Sequence, residues 1–256
     1  MATDDRPFDL VIRGARVFDG RGSAETVADV AVRGDRIVGV EPHLQGNGTR
    51  ERAADGLALA PGFIDVHSHD DFAVILQPEM SFKVLQGVTT DIVGNCGSGV
   101  VPFEVGLKRF RRLHPDASPD PWRGYAEYMD SVNAAHPALN VAVLVGHGTL
   151  RAGVMGLDQR PPSTNELDRM RDWVRESLQA GAVGLSTGLV YEPGRYAQTE
   201  EIVELARQVE PFNGVYATHM RNEASQLLDS VREAIHIGEQ AGEQLICLAK
   251  RIIDGR

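Results

Sequence analysis

The sequence predicts an α/β protein built on an incomplete (β/α)8 TIM-type barrel of about six strands, preceded by a small N-terminal β domain. Three observations lead there. From Phe8 to about Ala60, short β-rich runs are broken by turn residues. After Pro61, strand-like apolar runs alternate with helix-length amphipathic segments. The first strand beyond that change runs into Asp65-Val66-His67-Ser68-His69. Regular strand–helix alternation is the pattern of a parallel sheet covered by helices. The implied boundary assigns residues 1–60 to the β domain, read as the N-terminal part of a β-sandwich, and 61–256 to the barrel.

In the β domain the runs are DLVIRGARVFDG, VADVAVRGDRIVGVEP and ERAADGLALAPG, with Gly14, Gly20, Gly34 and Gly39 punctuating alternating apolar residues. That punctuation predicts hairpins. No chemistry-bearing group stands out in this stretch.

In the barrel, strands are predicted at 63–67, 88–94, 140–146, 182–187 and 214–219, with a last one at 244–249. Helices are predicted near 79–86, 164–180, 199–210 and 223–241. The 164–180 helix carries its own start and stop signals. Ser163 or Thr164 caps it, Glu166 sits in the first turn, Leu167, Met170, Val174 and Leu178 trace one face, and Gly181 follows the end. Residues 97–139 are too long for a tight link and predict a lid or insertion with a short helix near 122–134. A closed barrel takes eight strands over about 250 residues, so the chain reads as two strands short.

Acidic residues outnumber basic ones 36 to 26, for a net charge of −10. No broad electropositive face is expected, which argues against a nucleic-acid partner. The N-terminus MATDDRPFD has no basic region leading into an apolar one, and no apolar run approaches the roughly 20 residues that span a bilayer. The expectation is a cytoplasmic protein without a membrane partner. Cys96 and Cys247 form no disulfide framework and read as thiols.

Side chains alternate along a strand, so Asp65, His67 and His69 are expected on one face, where two imidazoles can reach one ion. Zinc is the usual occupant of such sites. The spacing also suits a pair of exposed loop histidines. Barrel active sites gather at the C-terminal ends of strands, which brings in Cys96, in GNCG after the second strand, and His219, at the end of the fifth. Cys96 is either a thiolate ligand, able to bridge two ions, or a buried structural thiol. His147, in GHG after the third strand, reads as a support behind the ligands or as a residue bonded within its own loop. Asp65 reads as a support of the same kind. His43, His114, His136 and His236 read as surface residues. Ser186, Thr187 and Tyr191, after the fourth strand, are candidates to line a substrate pocket. Arg221, Asn222 and Glu223 read as the start of the next helix, with Asn222 its cap, in preference to a carboxylate contact by Arg221.

GFIDVHSHDD, QGVTTDIVGNCGSGVVP, VGHGTLR, GAVGLSTGLVYEPGRYAQTEE and YATHMRNE, in that order, together resemble the N-acyl-D-amino-acid deacylases (D-aminoacylases) of the amidohydrolase superfamily, from about residue 8 to about 242. The resemblance implies a zinc-dependent hydrolase that converts N-acyl-D-amino acids to a carboxylate and a D-amino acid. It implies a (β/α)8 barrel beside a small β domain, one or two Zn2+ ions, and His67, His69, Cys96 and His219 at the metal-ligand positions. Zinc would polarise the amide carbonyl or lower the pKa of water towards about 7. Relatives outside the family bridge two metals with a carboxylated lysine on the fourth strand. Here lysine occurs only at 83, 108 and 250, so a cysteine-bridged site fits better and a hydantoinase-like site fits worse.

The resemblance also implies a sixth strand bearing a further histidine ligand, and a late aspartate that moves the proton. At the ligand position this sequence has Ala249, followed by Lys250 and Arg251, whose cations repel a metal. The general-base aspartate has no counterpart, so no catalytic residue is assigned, and a truncated or frame-disrupted deacylase is expected. The competing readings are another amidohydrolase (a dipeptidase, a deaminase or a hydantoinase-like enzyme) and a non-catalytic zinc-binding remnant.

Overall fold

The computed structural model describes residues 7–242. The sixth strand expected at 244–249, with Ala249 and Cys247, lies outside the described residues. The chain divides into two compact units, Met1–Gly62 and Phe63–Arg256.

The first unit is a five-stranded sheet of β1 (Phe8–Val17), β2 (Thr26–Arg33), β3 (Arg36–Glu41), β4 (Gly48–Ala53) and β5 (Ala58–Leu59), ordered β3-β2-β1-β4 with β5 also paired to β1. Only the first two pairings are antiparallel; β4 and β5 run parallel to β1. The hairpin expectation therefore holds at Gly34, whose φ of +59° suits the tight turn between β2 and β3, and fails at Gly14 and Gly39. Gly14 sits at a bulge where the register shifts between Ile12 and Ala15, and its N–H donates to Asp29 Oδ1 (2.8 Å). Gly39 lies inside β3. Val11, Ala31 and Leu44 form the unit's small core.

The second unit is a parallel sheet in chain order: β6 (Phe63–Asp65), β7 (Val88–Val93), β8 (Asn140–Gly146), β9 (Gly184–Gly188) and β10 (Val215–His219). Helices fill each crossover. They are α1 (Ala73–Leu76) and α2 (Ser81–Val84), α3 (Phe103–Phe110) and α4 (Tyr125–Ala135), α5 (His147–Met155) and α6 (Thr164–Gln179), α7 (Thr199–Ala206), and α8 (Leu227–Ala241) after β10. Sequential parallel neighbours with a helix in each link are the arc of a (β/α) barrel, here with five strands among the described residues. Val143, Val145, Leu185 and Tyr216 pack with Met170, Val174, Leu178, Leu205 and Ile237 to form the core.

The α6 signals resolve as a capping box. Ser163 Oγ accepts from Glu166 N–H while the Glu166 carboxylate accepts from Ser163 N–H. Three helices escape sequence reading, the four-residue α1 and, for a shared reason, α3 and α5. α3 contains Gly106 and α5 begins His147-Gly148, and mid-helix glycine reads as punctuation. Both glycines answer a close approach instead: a Cβ on Gly106 would lie 2.5 Å from Gly99 O, and one on Gly148 2.9 Å from Gly97 O. Among the described residues no helix is long and apolar enough to cross a membrane.

Candidate metal centre

The strand ends supply the candidate ligands. β6 stops at Asp65, whose Oδ1 accepts from His67 N–H (3.0 Å), and the chain turns there. Strict alternation therefore does not extend to His69, yet the turn still pairs the imidazoles, with ring centroids 5.7 Å apart. His67 is half-buried and His69 exposed.

Cys96 arrives from the loop after β7 with a backbone φ of +55°, the left-handed region that costs a non-glycine residue about 1 kcal/mol or more. The surroundings hold it there. Its carbonyl presses on the end of β9, where a Cβ on Gly188 would come within 2.2 Å of Cys96 O. Ser186 Oγ accepts from Gly97 N–H (3.1 Å) and donates to Gly94 O, and Thr149 Oγ1 accepts from Gly99 N–H (2.9 Å). Gly94 itself is obligatory: its φ is +84° and a Cβ would sit 2.2 Å from Leu144 O.

These loops bring one ligand atom each from His67, His69 and Cys96 within 4.8 Å of one another. His67 Nε2 is 3.2 Å from Cys96 Sγ, and His219 Nδ1 approaches the same sulfur at 3.6 Å. Zn–N near 2.0–2.1 Å and Zn–S near 2.3 Å at a tetrahedral angle place N and S about 3.5 Å apart, so these separations fit a shared ion. His219 joins through the sulfur and stands outside the tight trio. Its Nε2 pairs with Glu223 Oε1 (3.2 Å), the carboxylate partner that fixes a ligating imidazole's orientation.

Other expected residues fall elsewhere. Ser186 and Thr187 are fully buried and do not line a pocket. Ser186 is spent on the Cys96 loop, and Thr187 Oγ1 bonds Tyr216 OH (2.9 Å) and Thr218 Oγ1 (2.7 Å). Tyr191 is exposed and stands edge-on to His219, centroids 4.8 Å apart. His147 is fully buried with Nε2 directed at Glu201 Oε1 (2.9 Å), a carboxylate shared with Arg151 (3.1 Å). It therefore braces the fold and makes no bond to the His67–Cys96 cluster. Arg221 is consumed by Glu233 and by the carbonyls of Arg195 and Ala197. Asn222 does not cap α8: it closes a turn onto Ala224 and Gln226 N–H, and the helix starts at Leu227.

One assembly had no sequence signal. Lys83, from α2, reaches Asp65 (2.5 Å), Asp70 (3.0 Å) and Asp91 (3.5 Å) beneath the histidines. Hydrogen bonds from Lys83 and His67 hold the Asp65 carboxyl below its ordinary range despite desolvation that opposes them. Burial pushes Asp91 up to about 6 and Asp71 to about 7. A carboxyl whose folded pKa is raised stabilises fully below its unfolded value, near 3.8, and loses that contribution as pH rises through about 6. Asp91→Asn is therefore expected to melt several degrees above the parent at pH 7 and to match it near pH 4. Thermal unfolding of the metal-free protein across that range reads the difference.

Candidate ligands gathered at the C-terminal ends of parallel strands are the arrangement of a barrel enzyme. Residues 50–244 match the model of the amidohydrolase family, and the chain belongs to that family. It is similar to the D-aminoacylase of Alcaligenes xylosoxydans xylosoxydans, 38% identical over 251 residues that cover 93% of this chain and 49% of the relative. A solved D-aminoacylase structure, described for the functional role of its binuclear metal center, matches with a TM-score of 0.85 and 34% identity, over 95% of this chain and 51% of that one. The N-acyl-D-glutamate deacylase from Bordetella bronchiseptica, complexed with zinc and a phosphonate mimic of the tetrahedral intermediate, matches with a TM-score of 0.83 and 35% identity, over 93% and 50%. The chain spans about half the length of the relatives it matches.

Proposed function

We propose that this protein is a zinc-dependent hydrolase that cleaves N-acyl-D-amino acids to a carboxylate and a D-amino acid. The observation that carries the reading is the sulfur of Cys96, 3.2 Å from His67 Nε2 and 3.6 Å from His219 Nδ1. His67, His69, Cys96 and His219 would hold one or two ions. Bound zinc supplies Lewis-acid polarisation of the amide carbonyl and hydroxide near neutral pH.

The chain's own residues prepare that site. Asp65 sets the backbone of His67, and Glu223 occupies Nε2 of His219 so that Nδ1 faces the sulfur. Lys83 offsets the charge of Asp65, Asp70 and Asp91 below the histidines. Tyr191, exposed beside His219, would touch substrate; its exposure and its contact with that imidazole support the role. No carboxylate of this chain is assigned the proton transfer. A cytoplasmic location goes with the reading, because a reducing compartment keeps Cys96 a thiol. The relatives named above favour it over a dipeptidase, deaminase or hydantoinase activity.

The test pairs metal analysis of the purified chain with hydrolysis assays on N-acetyl-D-amino acids, their L-enantiomers and dipeptides. Stoichiometric zinc with D-selective hydrolysis is expected. Zinc without hydrolysis would leave a metal site and overturn the deacylase reading, and faster cleavage of dipeptides would replace it with a peptidase.

A further inference from the structure

α3 and the residues just after it carry a dense run of positive charge, Lys108, Arg109, Arg111 and Arg112, in a chain whose net charge is −10. Arg111 is tied down, its Nε donating to Ala117 O (2.8 Å). Arg109 is held differently. It is half-buried, with its guanidinium carbon 5.9 Å from the centroid of the Tyr191 ring, and Tyr191 in turn stands against His219. The cation thus lies beside the mouth of the candidate metal centre. Among the described residues no carboxylate forms an ion pair with it. Burial lowers its pKa from the ordinary arginine value, and a guanidinium stays charged in proteins regardless.

Arg109 borders a cavity of about 240 Å³ that also meets His69, Asp71, Ser98 and Gly99. Ser98 is 8% exposed, and its Oγ has no hydrogen-bond partner among the described residues. A buried hydroxyl without a partner and a desolvated cation held by no ion pair each cost free energy that a ligand can recover. Both are donors, and both residues line the cavity that His69 borders, with Asp71 in the same wall. A second cavity, of about 370 Å³, also meets Arg109, with Lys108, Arg112, Glu104 and Glu192 in its wall.

We propose that Arg109 and Ser98 form a carboxylate-binding subsite that holds an anionic group of the substrate beside the metal cluster. The guanidinium fork matches a planar carboxylate in two parallel hydrogen bonds, and the hydroxyl adds a third donor. The substrate class rests on the deacylase reading. Within it, the carboxylate has two sources: the α-carboxylate of every N-acyl-amino acid, and the side-chain carboxylate of an acidic one.

Calorimetric titration of the zinc-treated full chain separates the sources, using N-acetyl-D-methionine, N-acetyl-D-glutamate and N-acetyl-D-methioninamide, which carry one, two and no carboxylates. Arg109→Ala is expected to weaken binding of the acids by roughly 10–100-fold and to leave the amide unchanged. Ser98→Ala is expected to act in the same direction by less. Arg109→Lys retains a cation over Tyr191 and should recover part of the loss, which keeps the test valid if the alanine variant folds poorly. Equal weakening for both acids assigns the α-carboxylate, and weakening for the glutamate derivative alone assigns the side chain. Equal weakening for the amide overturns the subsite, as does an unchanged affinity for both acids or an unmutated chain that binds neither. Zinc content is read separately. Normal zinc with Arg109-independent binding removes the subsite and leaves the deacylase reading standing. Arg109-dependent binding without zinc sustains the subsite and removes that reading.

Discussion

Cys96→Ala is expected to lower zinc affinity by more than about 100-fold, beyond the 10–100-fold typical of losing a supporting hydrogen bond, because it removes the atom on which His67 and His219 converge. Metal content after dialysis against a weak chelator measures this, and hydrolysis of N-acetyl-D-amino acids should fall with it. A buried structural thiol would behave differently: its loss would lower the melting temperature and leave zinc in place. Cys96→Gly sharpens the distinction. Glycine adopts the left-handed φ of +55° without a Cβ penalty, so this variant should be at least as stable as Cys96→Ala when metal-free. It should gain nothing on zinc addition, whereas the parent is stabilised by mass action. A glycine variant that still binds zinc tightly would show that the sulfur is not a ligand.

Glu201→Ala is expected to destabilise the protein by about 3–5 kcal/mol, the usual cost of leaving a buried charge unpaired. Arg151 is fully buried, with Nε on Glu201 (3.1 Å) and its other nitrogens on the carbonyls of Asp158 (3.0 Å) and Arg160 (2.8 Å). Removing the carboxylate strands the guanidinium and frees His147 Nε2 at the same time. Denaturant unfolding reads the loss. The double variant Glu201→Ala with Arg151→Met should recover much of it, since replacing both partners of a buried pair by apolar groups is often neutral or better. Non-recovery would mean that Glu201 stabilises through His147. A smaller fall in zinc affinity is expected as well, because Thr149, on the same helix, accepts from Gly99 N–H and donates its own N–H to Gly97 O in the Cys96 loop.

The parts of this molecule that were legible in sequence are those with local causes. Strand alternation and the shift from hairpin-like to strand–helix rhythm mark β6 to β10 within one or two residues at most ends. The Ser163–Glu166 box marks α6. The strand ends of β6, β7 and β10 made His67, His69, Cys96 and His219 candidates by position, with His147 equally well placed, and the family resemblance narrowed them to a ligand set. What escaped has non-local causes. Ser186 and Thr187 looked like pocket residues because of their place at a strand end, but the Cys96 loop takes up the Ser186 hydroxyl and β10 takes up that of Thr187, both inside the protein. His147 looked like a support for the ligands until Glu201, distant in sequence, claimed it.

Arg109 and Lys83 show the same limit from the other direction. Neither stands in a recognisable pattern, since a cation on a helix is ordinarily a solvated one. Lys83 acquires its meaning from three aspartates gathered from β6, β7 and the loop between β6 and α1, and Arg109 from the cavity it shares with Ser98 and His69. Periodicity and capping are short-range and therefore written in the chain, enough to specify the array and the strand ends where candidate ligands stand. Which polar groups are satisfied internally and which are left facing a cavity depends on contacts between distant segments, and those exist only once the strands have been laid side by side.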